Sequence, residues 1–273
     1  MGDALWFELC DDLGRFSIHE FCLITGLKCV GSTHLPVIES RLISRYFSTL
    51  KGVSRENLEL QMSNAKFDND DDDAVKLSLL YIMFSIPLSN ASAVKIDLKF
   101  FALANDLDAF NDFPWGILSW ETIRGAICHV VDNRISSKRR PKKKKKKKKT
   151  DKVHYSIPGF PHALLVWAFE LPLIASKFTI KYEQAILCMR SWTTAKNVKF
   201  DDVVVTFAAD GESQLKRFVL MPTEEELRKP WVARPFLKNQ PAMPQLPPPK
   251  SSVPQQSMDT NSEWREFQTE IRG

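Results

Sequence analysis

The sequence predicts a mainly α, α-rich α+β fold, a helical globular domain carrying one small β-hairpin near residues 198–220. Three observations predict it. Apolar residues recur at helical spacing in most segments, and Ser, Pro and Gly fall where helices would start and stop. One stretch, 198–208, is β-branched and partly alternating, and Asp210-Gly211 is a suitable hairpin turn toward 215–220.

The first clear element opens at Ser17. Ser17 stands three residues before Glu20, the spacing at which each side chain satisfies a free amide of the other, and Gly26 offers a left-handed stop. Pro36 is expected to start a second helix in which Ile38, Leu42 and Tyr46 share a face, and Ser54 to cap a third containing Leu58. The acidic run 68–73 favours the start of a helix over 75–86, apolar almost all round and therefore expected to be central and buried, with Pro87 as its end. A further helix is read over 98–110. Ser119 is expected to cap another, striped by Trp120, Ile123, Ile127 and Val131 and ending near Asn133.

Order resumes at Val153. Pro161 suits the first turn of a helix through Glu170, with Leu164, Leu165, Trp167, Ala168 and Phe169 mostly inside and Pro172 as the stop. Thr223 and Glu226 repeat the capping-box spacing. Beyond Trp231 the chain is Pro- and Gln-rich through Gln256, a composition that buries too little to fold; Trp264, Phe267 and Ile271 could form one last amphipathic piece. The expected organisation is therefore one helical domain in two parts, 5–137 and 153–231, separated by a basic loop over 138–152 and followed by a disordered tail over 232–273.

Composition narrows the function classes. The 273 residues are 44% hydrophobic and include 18 Phe and 7 Trp, enough for a sizeable core. The net charge of +5 conceals an asymmetry. Lys138, Arg139, Arg140, Lys142, Lys143, Lys144, Lys145, Lys146, Lys147, Lys148 and Lys149 carry eleven positive charges, and without them the rest of the chain stands at −6. A mildly acidic body with one intensely basic segment does not suit a broad phosphate-binding face. Five widely spaced cysteines, an odd number, suit a reducing compartment. No stretch reaches 18 apolar residues and Met1–Cys10 lacks the pattern of a secretory leader, so a soluble intracellular protein without membrane association is expected.

Four segments, in order, resemble a plant family called domain of unknown function 1985. They are Phe21–Cys29 (FCLITGLKC); Lys76–Tyr81 (KLSLLY); Leu107–Asn111 with Phe113–Gly116 (LDAFN and FPWG); and Gly159–Pro161 with Val166–Glu170 (GFP and VWAFE). The resemblance covers roughly residues 10 to 195. It implies a domain with no assigned activity, often joined to a C-terminal cysteine protease of the SUMO-deconjugating type in transposon-derived plant genes. The chain departs from the joined form, because only about forty residues follow Trp231, too few for a protease fold.

Candidate chemistry is sparse. His19, Cys22, Cys29 and His34 could be read as zinc ligands, since a His and a Cys three apart share a helical face. The paired short spacing of a zinc knuckle is missing, so buried cysteines are the expectation and no metal is assigned. Cys188 is the late cysteine a protease would use, but it sits in Ile-Leu-Cys-Met-Arg without a following His, so no catalytic residue is assigned and the chain is expected not to be an enzyme. Asp70 to Asp73, and Asp106 with Asp108, read as loop and capping carboxylates rather than a paired acid site. Gly159 and Gly211 stand alone, so no phosphate loop and no cofactor are implied.

The basic run has a direct physical consequence. A dense flexible polycation has the composition of a nuclear-import signal, which would make the import machinery a partner and the nucleus the expected address, with the cytoplasm as the alternative. The same run would hold DNA or RNA phosphates without reading bases. Interleaved aromatic residues for base stacking are lacking.

Overall fold

The computed structural model describes residues 4–9, 12–64, 71–139, 157–171, 177–182, 188–194 and 217–229, together with Ile174, Asp202, Trp231 and Val232. The chain divides into two compact units, one of residues 1–129 with 157–239, the other of 130–156 with 240–273. The first unit is an α-rich α+β fold. In the second, the described residues are 130–139, which continue a helix.

The first unit opens with a β-hairpin that periodicity did not announce. Strand β1 (Ala4–Leu9) pairs antiparallel with β2 (Asp12–Ser17), in the register Ala4 to Ser17 and Leu9 to Asp12. A short strand at Arg217–Phe218 adds to β2 in parallel, giving the order β1, β2, Arg217–Phe218. The expected hairpin near 198–220 is thus met only at its end: its first arm and turn lie outside the described residues, and Phe218 of its second arm pairs with Gly14.

Helix α1 (Ile18–Thr25) follows β2 without a loop, capped as the Ser17, Glu20 and Gly26 pattern requires. The Ser17 Oγ accepts from the His19 amide, the Glu20 carboxylate accepts from the Ser17 amide at 2.7 Å, and Gly26 turns left-handed at φ 69°. The second helix departs from expectation. It runs only over Arg41–Tyr46 (α2), so Pro36 does not start it, and Val37 and Ile38 are 79% and 73% exposed. Helix α3 (Arg55–Asn64) starts at Ser54, whose Oγ accepts from the Asn57 amide. Helix α4 (Asp71–Ser85) ends just before Pro87. It buries one side only: Leu77, Leu80 and Phe84 are inside, whereas Val75 and Ile82 are half exposed.

The single helix expected over 98–110 is two, α5 (Lys99–Leu103) and α6 (Leu107–Asp112). Asp106 makes the break, because its carboxylate accepts from the amides of Asp108 and Ala109, both at 3.0 Å, and so begins a new helix. Helix α7 (Trp115–Arg139) corrects two further expectations. It starts before Ser119, which is fully buried inside it and donates to the Pro87 carbonyl at 2.5 Å. It also runs past Asn133, so Lys138 and Arg139 of the basic run are helical rather than part of a loop.

The buried residues form two cores, and the first-unit part of α7 contributes to both. One holds Leu42, Leu58, Leu77, Leu80 and Phe101 with their neighbours from α2 to α6 and Trp115 of α7. The other holds Phe16, Phe21, Ile24 and Trp167 with Trp120 and Ile123 of α7. Aromatic rings fill the second core: Phe16 lies 5.3 Å from Trp120 and 5.6 Å from Trp167, and Phe7 lies 5.2 Å from Trp167. Helix α8 (Pro161–Phe169), with Pro at its first turn as expected, supplies Trp167, although Leu165 faces outward and is 47% exposed. Smaller pieces complete the described part: strands at Thr179–Lys181 and Trp192–Thr194 pair antiparallel, and Glu226–Arg228 forms a 3₁₀ turn whose Glu226 accepts from the Thr223 amide.

Gly159 seats the α8 segment on α7. Its φ is 93°, and a β-carbon there would come within 2.8 Å of the Ile123 amide nitrogen. Its carbonyl accepts from Ser89 at 2.7 Å, which ties the same point to the turn after α4. Gly159→Ala should therefore lower unfolding free energy by about 1–3 kcal/mol in urea melts, since it adds both backbone strain and an overpacked contact. A loss under roughly half a kcal/mol, the scale of an ordinary surface change, would show that the segment is not held this closely.

Candidate functional site

Among the described residues the buried charged side chains have hydrogen-bond or ion-pair partners. At the β2–α1 junction Arg15 and Glu20 are 1% and 0% exposed. The guanidinium donates to Glu20 Oε1 at 3.0 Å from Nε and 2.6 Å from an η nitrogen, while Glu20 Oε2 accepts from the backbone and the hydroxyl of Ser17. Both carboxylate oxygens are occupied, so this pair is a structural knot without an available acid or base.

A second cluster joins α2 to α4. Asp73 is fully buried and accepts from Arg41, from Arg45 at 2.9 Å and from the Tyr46 hydroxyl at 3.1 Å. The sequence reading placed Asp73 in a solvated capping run; instead it anchors α2, whose arginines keep their outer parts in water. A third cluster places Glu170 between Lys181 at 3.1 Å and the Trp192 indole nitrogen at 2.6 Å. Lys181 also stands 4.9 Å over the Trp192 ring.

The four residues weighed as zinc ligands do not share one setting. Cys22 and Cys29 are joined by a disulfide and lie in the second core, with Cα atoms 6.3 Å apart, while His34 is exposed on the following loop. This corrects the expectation of separate buried thiols. Among the described residues no group of three or more His, Cys, Asp or Glu side chains could hold a metal ion. His19 is partly buried beside the Arg15–Glu20 pair, and burial lowers its pKa below the usual 6.5 against the opposing pull of Glu20. Cys188 begins a single helical turn, Cys188–Ser191, and its side chain lies outside the described residues. Asp106 is occupied as a helix cap.

Among the described residues there are concavities as well. One, of about 190 Å³, is floored by Phe84, Leu88 and Phe100 and rimmed by Arg55, Lys95 and Asp97. The other, of about 430 Å³, is an open groove lined by Val37, Ile38, Ile43 and Leu98 with Glu39 and Lys99 at its edge. Neither gathers a nucleophile, a base and an oxyanion donor, the minimum for acyl transfer.

The basic run enters from the end of α7. Lys138 and Arg139 fall in its last turn. Arg140 and Lys142–Lys149 lie outside the described residues, as do the segment after Val232 and its Trp264, Phe267 and Ile271. No helix among the described residues is long and apolar enough to cross a membrane. Composition was sufficient to find the run. The Asp73 cluster had no local signal, because its partners lie 27 to 32 residues away in sequence.

The partly buried His19 gives a pH dependence whose sign follows from its lowered pKa. Folding favours the neutral ring, so the unfolded chain binds the extra proton; stability from this source is complete above about pH 6.5 and falls as pH drops below it. His19→Gln should flatten this limb of the stability curve in urea melts between pH 7 and about 5. An identical curve in the variant would assign the acid sensitivity to other groups.

Compared with known proteins, residues 2–126 match the family model described as Domain of unknown function (DUF1985). No curated protein and no solved structure matches the chain. The match spans β1 through the first half of α7, and so takes in the Arg15–Glu20 knot, the Asp73 cluster and the Cys22–Cys29 pair. In this N-terminal part the chain is thus similar to the DUF1985 family.

Proposed function

We propose that the chain is a non-catalytic interaction and targeting module, delivered to the nucleus by the run from Lys138 to Lys149. The observation that carries the reading is the charge partition: eleven positive charges in that run against −6 for the remainder. Such a segment offers nuclear-import receptors a flexible cationic peptide, while the acidic body adds no competing phosphate-binding face. The engaged state of the buried acids supports a scaffold rather than a catalyst, because Glu20 and Asp73 already have their acceptor positions filled by partners. The family resemblance supports a finer context, a transposon-derived plant protein of the kind associated with SUMO-type proteases.

A second reading is favoured by the same charge density. A run of this kind binds duplex DNA or RNA without base selectivity, by releasing counterions. If all eleven charges engaged, the log–log slope of affinity against salt would approach about −10.

Two measurements separate the readings. A fluorescent fusion of the full chain in plant cells should accumulate in the nucleus and become evenly distributed when residues 138–149 are deleted. A tract-bearing fusion that stays cytosolic contradicts the targeting role. In parallel, salt titration against arbitrary duplex DNA should show at most weak binding near physiological salt. Tight, salt-steep binding that disappears with the deletion supports the nucleic-acid reading instead. A thiol-reactive SUMO probe that labels Cys188 would return the chain to the proteases, whereas the proposal expects no labelling.

A further inference from the structure

Cys22 and Cys29 have no part in the targeting role, yet their placement couples chemistry to docking. Cys22 lies in α1 and Cys29 on the loop just past the Gly26 cap, and both are buried, at 3% and 0% exposure. Their loop sits directly on the start of α7: the Gly116 amide donates to the Lys28 carbonyl at 2.8 Å, and Lys28 pairs with Asp112 at the end of α6. The fit at this point is closed. A β-carbon on Gly116 would fall 2.3 Å from the Cys29 sulfur and 2.8 Å from the Lys28 carbonyl oxygen. The segment beyond Cys29, from Val30 to His34, is by contrast exposed.

We propose that Cys22 and Cys29 form a reversible thiol–disulfide switch that sets how tightly the 27–34 segment docks on α7. Bridged, the two sulfurs share one covalent contact of about 2 Å. As thiols, each needs its own van der Waals envelope, nearer 4 Å between centres. The Gly116 backbone blocks the direction in which Cys29 would retreat, so the extra room comes from moving the loop outward.

The oxidant class is a small disulfide such as oxidised glutathione. One cysteine thiolate attacks a glutathione sulfur, breaking its S–S bond, releasing one glutathione thiolate and forming a mixed disulfide. The second cysteine, its proton lost to solvent, attacks the protein sulfur of that mixed disulfide and releases the second glutathione. Two cysteines are oxidised and one glutathione disulfide is reduced to two thiols. Because both sulfurs are buried, each exchange requires the loop to lift first, which links redox state to docking.

The test uses the full chain equilibrated in glutathione mixtures of graded redox poise, acid-quenched, alkylated under denaturing conditions and mapped by mass spectrometry. The switch predicts loss of two of the five alkylations in oxidising mixtures, both recovered in one peptide pair linking Cys22 to Cys29, and full alkylation in reducing ones. Hydrogen exchange on the same samples should show the Gly116 amide and residues 27–34 exchanging severalfold faster in the reduced protein. Cys22→Ser should hold the fast exchange in both buffers; if that variant does not fold, the wild-type comparison alone decides. Cys22 and Cys29 remaining alkylatable in every mixture, or pairing with another cysteine, overturns the bridge. Exchange independent of redox state overturns the coupling.

Discussion

The Glu20 carboxylate does two jobs at one point, and the rest of the N-terminal half is arranged around it. One oxygen neutralises Arg15 at the end of β2, and the other closes the first turn of α1 through Ser17. Strand therefore passes into helix with no connecting residue, and Phe16 on one side of the junction and Phe21 on the other are delivered to the same aromatic core as Trp120 and Trp167. A buried ion pair of this kind gives modest net stability compared with an apolar substitute, but either partner left alone is a buried uncompensated charge. Its consequence is geometric: the hairpin and α1 are fixed relative to each other.

From that junction the architecture follows by layers. The first-unit part of α7 gives Trp120 and Ile123 to the aromatic core of β1, β2, α1 and α8 and Trp115 to the aliphatic and phenylalanine-rich core of α2 to α6. Close backbone approaches stitch each side to it, at Gly116 under the Cys29 loop and at Gly159 over Ile123. In the sequence Gly159 stood alone among glycines and Gly116 ended the Phe113–Gly116 segment. Their role is tight packing rather than phosphate binding.

What the sequence disclosed was what is local. The α1 cap, the Pro161 start of α8 and the Thr223–Glu226 box are encoded within four residues each and could be read directly. Elements set by distant partners could not. The β1–β2 hairpin depends on pairing and on a strand from 217–218, and Asp73 becomes a buried anchor only when α2 brings Arg41, Arg45 and Tyr46 to it. Ile38 kept the period of a helix without joining one: α2 begins only after Ser40, whose side chain makes no capping hydrogen bond. Asp106 split a single apolar stripe by offering its carboxylate to the next two amides. The basic run was visible from composition alone, since charge density needs no fold to be recognised.

The dependence on the Arg15–Glu20–Ser17 knot is tested most directly by a double-mutant cycle in urea unfolding. Glu20→Gln alone should cost about 3–5 kcal/mol by leaving Arg15 buried without a counter-charge. Adding Arg15→Met to it should recover much of that loss, giving a coupling on the order of 1–3 kcal/mol between the two sites. Two changes that simply add, with no recovery in the double variant, would show that the junction is held by something else and that the account is wrong at its base.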